Sequence, residues 1–208
     1  MKGSLIVAAI FIAGIVIGVS DASIQSYLPA ELSQWLLYAL VIQIGITLGY
    51  EGNLRKIIKN ISIRSMLLPM GTICGTLLFS AIAGAIVGGW NICDYLAVGS
   101  GLGYYSLSSV LIIDIKSQEI GSQAATKLGM LALMVNIIRE MTALICGPWL
   151  AKIFGKFAPT AAAGVTSMDV TLPMILRCTG QEMFPIAIMH GVVLEIGVPL
   201  LVTLFASI

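Results

Sequence analysis

Long charge-free apolar runs separated by short polar stretches dominate the chain. A helix needs about 20 mostly apolar residues to cross the hydrocarbon core. On that length the pattern predicts seven membrane segments, at about 3–20, 32–50, 65–88, 95–115, 128–151, 158–177 and 183–207. The run from Ser65 to Cys93 is longer than one span requires, and the Gly88-Gly89 pair marks its end. The first run has one lysine and then an apolar stretch, as a signal peptide does. It is long for a signal core and no clear small-x-small site ends it, so it is read as a retained helix. The segments use nearly the whole chain, and the expectation is one all-α polytopic membrane domain over residues 1–208.

Composition agrees. Of 208 residues, 58% are hydrophobic and 10% charged, against about 25% charged in ordinary soluble domains. The mean hydropathy is +1.02. A disordered chain, a nucleic-acid binder with a basic face and almost any cytosolic enzyme are excluded; the partner implied is the lipid bilayer. The net charge of +1 names no other. Arg55, Lys56, Lys59 and Arg64 crowd one loop, while the preceding loop holds Asp21 and Glu31. Short basic loops stay cytoplasmic, so the N-terminus with Lys2 is placed inside and, after seven crossings, the C-terminus outside. Lys152 and Lys156 then fall outside. Either the fourth segment is re-entrant or that loop departs from the rule. Cys74, Cys93, Cys146 and Cys178 lack CxxC spacing and read as small core residues.

Two segments do not read as lipid-facing helices. The fourth carries Gly99, Gly101 and Gly103, then Tyr104, Tyr105, Ser106, Ser108 and Ser109. Each glycine weakens a helix by about 1 kcal/mol relative to alanine. The sixth holds Gly164, Thr166, Ser167, Asp169, Thr171 and Pro173 within ten positions, and Pro173 removes a backbone donor. Backbone that leaves the helix at membrane depth must be buried in protein or line a wet cavity. Transporters use such broken helices in pairs at the midplane. Free amides at a half-helix N-terminus favour a carboxylate, and free carbonyls at a C-terminus favour a cation. Gly and Ser can instead serve close packing alone; Asp169 beside Pro173 tips the pair toward a substrate site.

Arg139, Glu140, Asp169, His190 and Glu195 stand inside apolar runs. A charge at a helix centre costs about 2.5–3.5 kcal/mol, so such residues pair, line a cavity or relay protons. Arg139 and Glu140 point about 100° apart and are expected to meet partners on other helices. Asn136 shares the face of Glu140, and an amide beside a carboxylate suits a cation. A plain neutralising ion pair is the structural alternative. His190 is the sole histidine and stands about 140° around the helix from Glu195; it is as readily a packing group as a proton relay. Glu195 carries no assigned role.

Ser100 to Ser109, Gly164 to Pro173, Arg139-Glu140 and His190-Gly191 together resemble the pattern of the bacterial lysine exporter family. The resemblance covers about residues 95–200 closely and the earlier helices more loosely, through Gly45-Ile46-x-Leu48 and the basic loop. It implies a multi-pass inner-membrane exporter of L-lysine and toxic lysine analogues, exchanging substrate for protons and needing no cofactor. It carries a substrate or coupling role to Glu140 and Asp169, and to Tyr104, Tyr105, Ser106 and Ser108; the residue reading adds Asn136, Arg139, Ser167, Thr171 and His190 to the candidate site. The chain resembles only the C-terminal two-thirds of that family. About three helices are lacking, or about 100 residues at 20 or more per span with loops, which a small membrane subunit or homo-oligomerisation would supply.

Three other classes remain open. One is a non-transporting scaffold or regulatory subunit, whose intramembrane charges would all be paired. Another is a sodium-coupled transporter of a different small charged metabolite. The third is an intramembrane hydrolase using Ser106 or Ser108 with His190, but HExxH and GxSxG are both absent. No phosphate-binding loop is present for ATP-driven transport.

Overall fold

The computed structural model describes residues 63–208 and, before them, Ala13, Val16, Ile17 and Trp35. The predicted segments 3–20 and 32–50 and the basic loop 51–62 lie outside the described residues. The chain divides into two units, Met1–Tyr50 and Glu51–Ile208. Among the described residues of the second unit the structure is all-helical: α1 Ile63–Val87, α2 Ile92–Gly99, α3 Tyr105–Ile120, α4 Ser122–Phe154, α5 Ala158–Ala163, a 3-10 turn Gly164–Met168, α6 Leu172–Thr179, a second 3-10 turn Gln181–Met183, and α7 Phe184–Ala206.

Three stretches are long and apolar enough to cross a membrane: Met66–Val87, Ser122–Phe154 and Gln181–Ala206. They correspond to the third, fifth and seventh predicted segments. The third ends where the sequence says it does, because Gly88 and Gly89 adopt φ +67 and +88, values that other residues rarely reach. The fifth begins at Ser122, before the start that the pattern indicates. Its 33 residues span about 50 Å, well beyond the hydrocarbon thickness.

The fourth and sixth segments differ from the expectation of one interrupted crossing each. Lys116 Nζ lies 3.2 Å from Asp94 Oδ1. On one straight helix these residues would stand about 33 Å apart. The chain therefore reverses at Ser100–Tyr104, and α2 and α3 form a hairpin. Backbone bonds from Gly101 N–H to Val98 O and from Tyr104 N–H to Gly101 O close the turn. Lys156 and Glu182 likewise form an ion pair across 26 positions. The chain thus leaves the end of α4 through α5 and returns through α6 to its starting level. Pro173 stands at the first turn of α6, where its missing N–H costs nothing, and so it starts a helix where a kink was the expectation.

The hairpins explain why these runs look unlike lipid-facing helices. Tyr95, Ala97, Val98, Gly99, Ser100, Gly101, Leu102 and Gly103 are all buried within the protein. By contrast α1 exposes Leu67, Leu78, Phe79, Ile86 and Val87, as a helix bathed in lipid does. The cysteines follow the same logic. All four are free; Cys74 is exposed and the others are half-buried, so none is the core residue the sequence suggests. An apolar solvent removes the reason to hide them.

A comparison of two alanine substitutions tests this account of the reversals. At Gly88 (φ +67) an added Cβ meets open space, and Gly88→Ala is expected to cost only the backbone strain of about 1 kcal/mol. At Gly164 (φ +69) the Cβ would stand 2.0 Å from Leu102 O. Gly164→Ala is expected to lower the melting temperature in detergent several times more than Gly88→Ala. Equal shifts would contradict the packing described.

Candidate substrate site where the two hairpins cross

The tips of the hairpins meet. Val165 N–H donates to Leu102 O at 2.9 Å, joining the Ser100–Tyr104 reversal to the 3-10 turn after α5. Leu102 holds φ +46, the one non-glycine in the left-handed region among the described residues. Gly103 follows at φ +100, and a Cβ there would press on Ala163 O at 2.9 Å. Gly191 of α7 closes the layer from the other side, since its Cβ would strike Met168 at 2.7 Å.

Three polar side chains brace the crossing. Asn136 Oδ1 accepts from Gly103 N–H at 2.7 Å, and its Nδ2 donates to Ala132 O at 2.8 Å. The amide that the sequence offers as a cation partner is thus occupied in holding the first reversal. Arg139 Nε donates to Ala162 O at 2.9 Å, Nη2 to Ala161 O at 3.0 Å and Nη1 to Thr76 Oγ1 at 3.2 Å. The last carbonyls of α5 therefore do receive a cation, supplied by α4 of the same chain. Its planar fork suits two adjacent carbonyls in a way a lysine does not. His190 places Nε2 3.0 Å from Thr72 Oγ1 and Nδ1 3.1 Å from Ser167 Oγ, and so ties α7 to α1 and to the 3-10 turn. Ser167 also reaches Ala187 O, and Thr171 Oγ1 donates to Thr166 O. Ser108 Oγ donates to Tyr105 O and accepts from Asn136. His190 touches neither Ser106 nor Ser108, so the hydrolase pairing is not formed.

The carboxylates are treated differently. Ion pairs among the described residues are Lys116 with Asp94 and Glu119, and Lys156 with Glu182. Glu140, Asp169 and Glu195 take part in none. Glu140 is 2% exposed and Glu195 7%. Asp169 is exposed at the end of the 3-10 turn, its Oδ1 accepting Val170 N–H. Tyr104 and Tyr105 stand where the first reversal passes into α3, and Glu195 stands on α7 about one turn beyond Gly191. The site residues thus separate into a brace (Asn136, Arg139, Ser108, Ser167, Thr171, His190) and an acidic face (Glu140, Asp169, Tyr104, Tyr105) that gains Glu195. Ser106, half-buried, makes no contact that places it in either group.

A cavity of about 520 Å³ lies between α1 and the Arg139 end of α5, lined by Thr72, Thr76, Phe79, Ser80, Arg139 and Ala161 among others. None of the three carboxylates is on its wall.

The family model described as "Lysine exporter LysO" matches residues 8–206. The chain belongs to the LysO lysine exporter family. It is 30% identical over 205 residues to the "Lysine exporter LysO" of Escherichia coli, covering 98% of this chain and 64% of that one. It is 29% identical over 187 residues to the "Putative lysine exporter" of Haemophilus influenzae, covering 87% of each. The chain thus spans about two-thirds of the length of the first relative. No solved structure matches it.

Two groups in this LysO-family chain give little signal in the sequence. Glu195 is visible as a carboxylate in an apolar run, but the sequence does not show which elements α7 packs against. Asp94 and Lys116, 4% and 1% exposed, flank the glycine turn with opposite charges; testing that turn as a hairpin would have paired them. Arg139→Lys is expected to lower the melting temperature nearly as much as Arg139→Met. A point charge cannot reproduce three directed bonds, and hydrogen bonds to charged groups contribute about 1.5–3 kcal/mol each. Wild-type melting of Arg139→Lys would mean that only the charge matters.

Proposed function

We propose that this chain forms the substrate-bearing part of a multi-pass inner-membrane exporter of L-lysine and toxic lysine analogues, driven by exchange for protons. The observation that carries the reading is the imbalance at the crossing. The cation there, Arg139, is spent on backbone carbonyls, and three carboxylates remain without a counter-ion among the described residues. Unpaired carboxylates at membrane depth are costly. A lysine ammonium or a proton relieves that cost, and the two compete for the same oxygens. A carboxylate that releases lysine on one side takes up a proton there and gives it up on the other side before lysine binds again, which is the requirement for antiport. The names of the two relatives support lysine as the cargo.

Two readings are weakened by the same geometry. A scaffold would pair its buried charges, and here Glu140 and Glu195 stay outside every ion pair of the described residues. A sodium site would draw on the carbonyls at the end of α5, which Arg139 already occupies. The shorter span relative to the Escherichia coli protein supports a further small membrane subunit, or a second copy, completing the transporter.

The hairpins also suit a membrane topology of inverted-repeat type. With residues 51–64 inside, α1 runs outward and the α2–α3 hairpin dips in from the outside. Helix α4 then returns inward, the α5–α6 hairpin dips in from the inside, and α7 ends outside. Lys152 and Lys156 then lie inside, as the positive-inside rule requires, and the exception noted in the sequence disappears.

Two outcomes are expected. In a lysine-export-deficient bacterium challenged with a lysine-containing dipeptide, the chain, alone or with its membrane partner, restores growth. Glu140→Gln abolishes that export while the protein remains in the membrane, and normal export by the variant would remove Glu140 from the mechanism. In a cysteine-free background, Asn91→Cys and Gln123→Cys are labelled by an impermeant reagent from one side, and Phe157→Cys and Gln181→Cys from the other. Labelling of positions 91 and 123 from opposite sides would mean that the fourth segment crosses.

A further inference from the structure

Two buried polar atoms beside the acidic face have no hydrogen-bond partner among the described residues: Glu195 Oε2 and the Tyr104 hydroxyl. Glu195 is 7% exposed. Leaving such groups unsatisfied costs about 1–3 kcal/mol each, and more for a charged one, so a native structure that keeps two together calls for a physical cause. They belong to one region of the fold: Val165 lies against Gly191 and bonds Leu102 O, Glu195 stands about one turn beyond Gly191 on α7, and Tyr104 is two residues beyond Leu102. They also come from different parts of the fold, Glu195 from the middle of α7 and Tyr104 from the last position of the first reversal. Neither takes part in the brace, whose bonds are complete without them. The two buried carboxylates come from different helices, Glu140 from α4 and Glu195 from α7, and so the acidic face has two wings.

We propose that Glu195 and Tyr104 form a second ammonium subsite, which takes one of the two ammonium groups of a diamino acid while Glu140 and Asp169 take the other. The inference rests on the reading of the crossing as a lysine site and goes beyond it by giving the site its specificity. An ammonium carries three donors, enough to satisfy Glu195 Oε2 and the tyrosine oxygen together. An amino acid with a single ammonium group leaves one wing of the site buried and unpaired. Rejection by unmade bonds of this kind is the strong form of discrimination. Lysine and ornithine fit the requirement, whereas norleucine, which is lysine with a methyl in place of the ammonium, does not.

The test is equilibrium binding of radiolabelled lysine to the purified full-length chain in detergent, with norleucine as competitor. Wild-type protein is expected to bind lysine and to be displaced poorly by norleucine. Glu195→Gln is expected to weaken lysine binding roughly 10- to 100-fold, from the loss of a charge-assisted bond, and to leave norleucine binding unchanged. Tyr104→Phe is expected to act in the same direction with a smaller effect. The melting temperature of Glu195→Gln should equal or exceed that of the wild type, because a buried unpartnered carboxylate is removed. Unchanged lysine affinity in Glu195→Gln would overturn the subsite and assign the space to water only. A melting temperature that falls together with both affinities would overturn it in favour of a structural role. If wild-type protein binds no lysine, the functional reading fails as well; the variants are decisive only against a wild type that binds.

Discussion

The hydrogen bond from Val165 N–H to Leu102 O holds together everything that distinguishes this protein from a plain bundle. A chain that reverses inside an apolar medium exposes backbone groups that water cannot satisfy. Here each reversal is satisfied by the other or by a side chain reaching into it. Leu102 O is met by Val165, Gly103 N–H by Asn136, and the end of α5 by Arg139. The approach is so close that glycine is required at 103, 164 and 191, where a Cβ would stand within 3 Å of the opposing backbone or of Met168.

The bases of the hairpins are fastened by charge and their tips by backbone. Lys116 locks to Asp94 and Glu119 at the open end of the first, and Lys156 to Glu182 at the open end of the second. These pairs differ in weight. The second is exposed and contributes little. In the first, Lys116 and Asp94 are almost fully enclosed, and removing one partner would leave an uncompensated buried charge.

Charge assignment then separates structure from function. The two cations drawn into the described helices have structural partners: Arg139 has carbonyls and Lys116 has carboxylates. Glu140, Asp169 and Glu195 enter no ion pair among the described residues, although Glu140 and Glu195 are almost fully buried. Stability alone would have replaced or paired these groups. The hydroxyl and amide groups nearby are occupied in bracing the two reversals.

Much was decided by the amino-acid sequence alone. Hydropathy and composition determine a membrane protein, because a lipid-facing surface must be apolar whatever the fold. The glycines at 99, 101, 103 and 164 mark where helices stop, since these are local properties of the backbone. Glu140 and Asp169 stand out because a carboxylate in an apolar run is costly in any arrangement. The tertiary structure alone decided the direction in which the chain continues after each stop. A glycine turn permits both a crossing and a hairpin, and only contacts such as Lys116 to Asp94 choose between them. The same holds for partners. Asn136 shares a helix face with Glu140 in the sequence and bonds Gly103 N–H in the structure, Arg139 is expected to meet a partner outside its helix and finds the carbonyls of α5, and Glu195, without a role in the sequence, is buried with Oε2 lacking a partner among the described residues. Which side chains meet depends on long-range packing, and no local pattern encodes it.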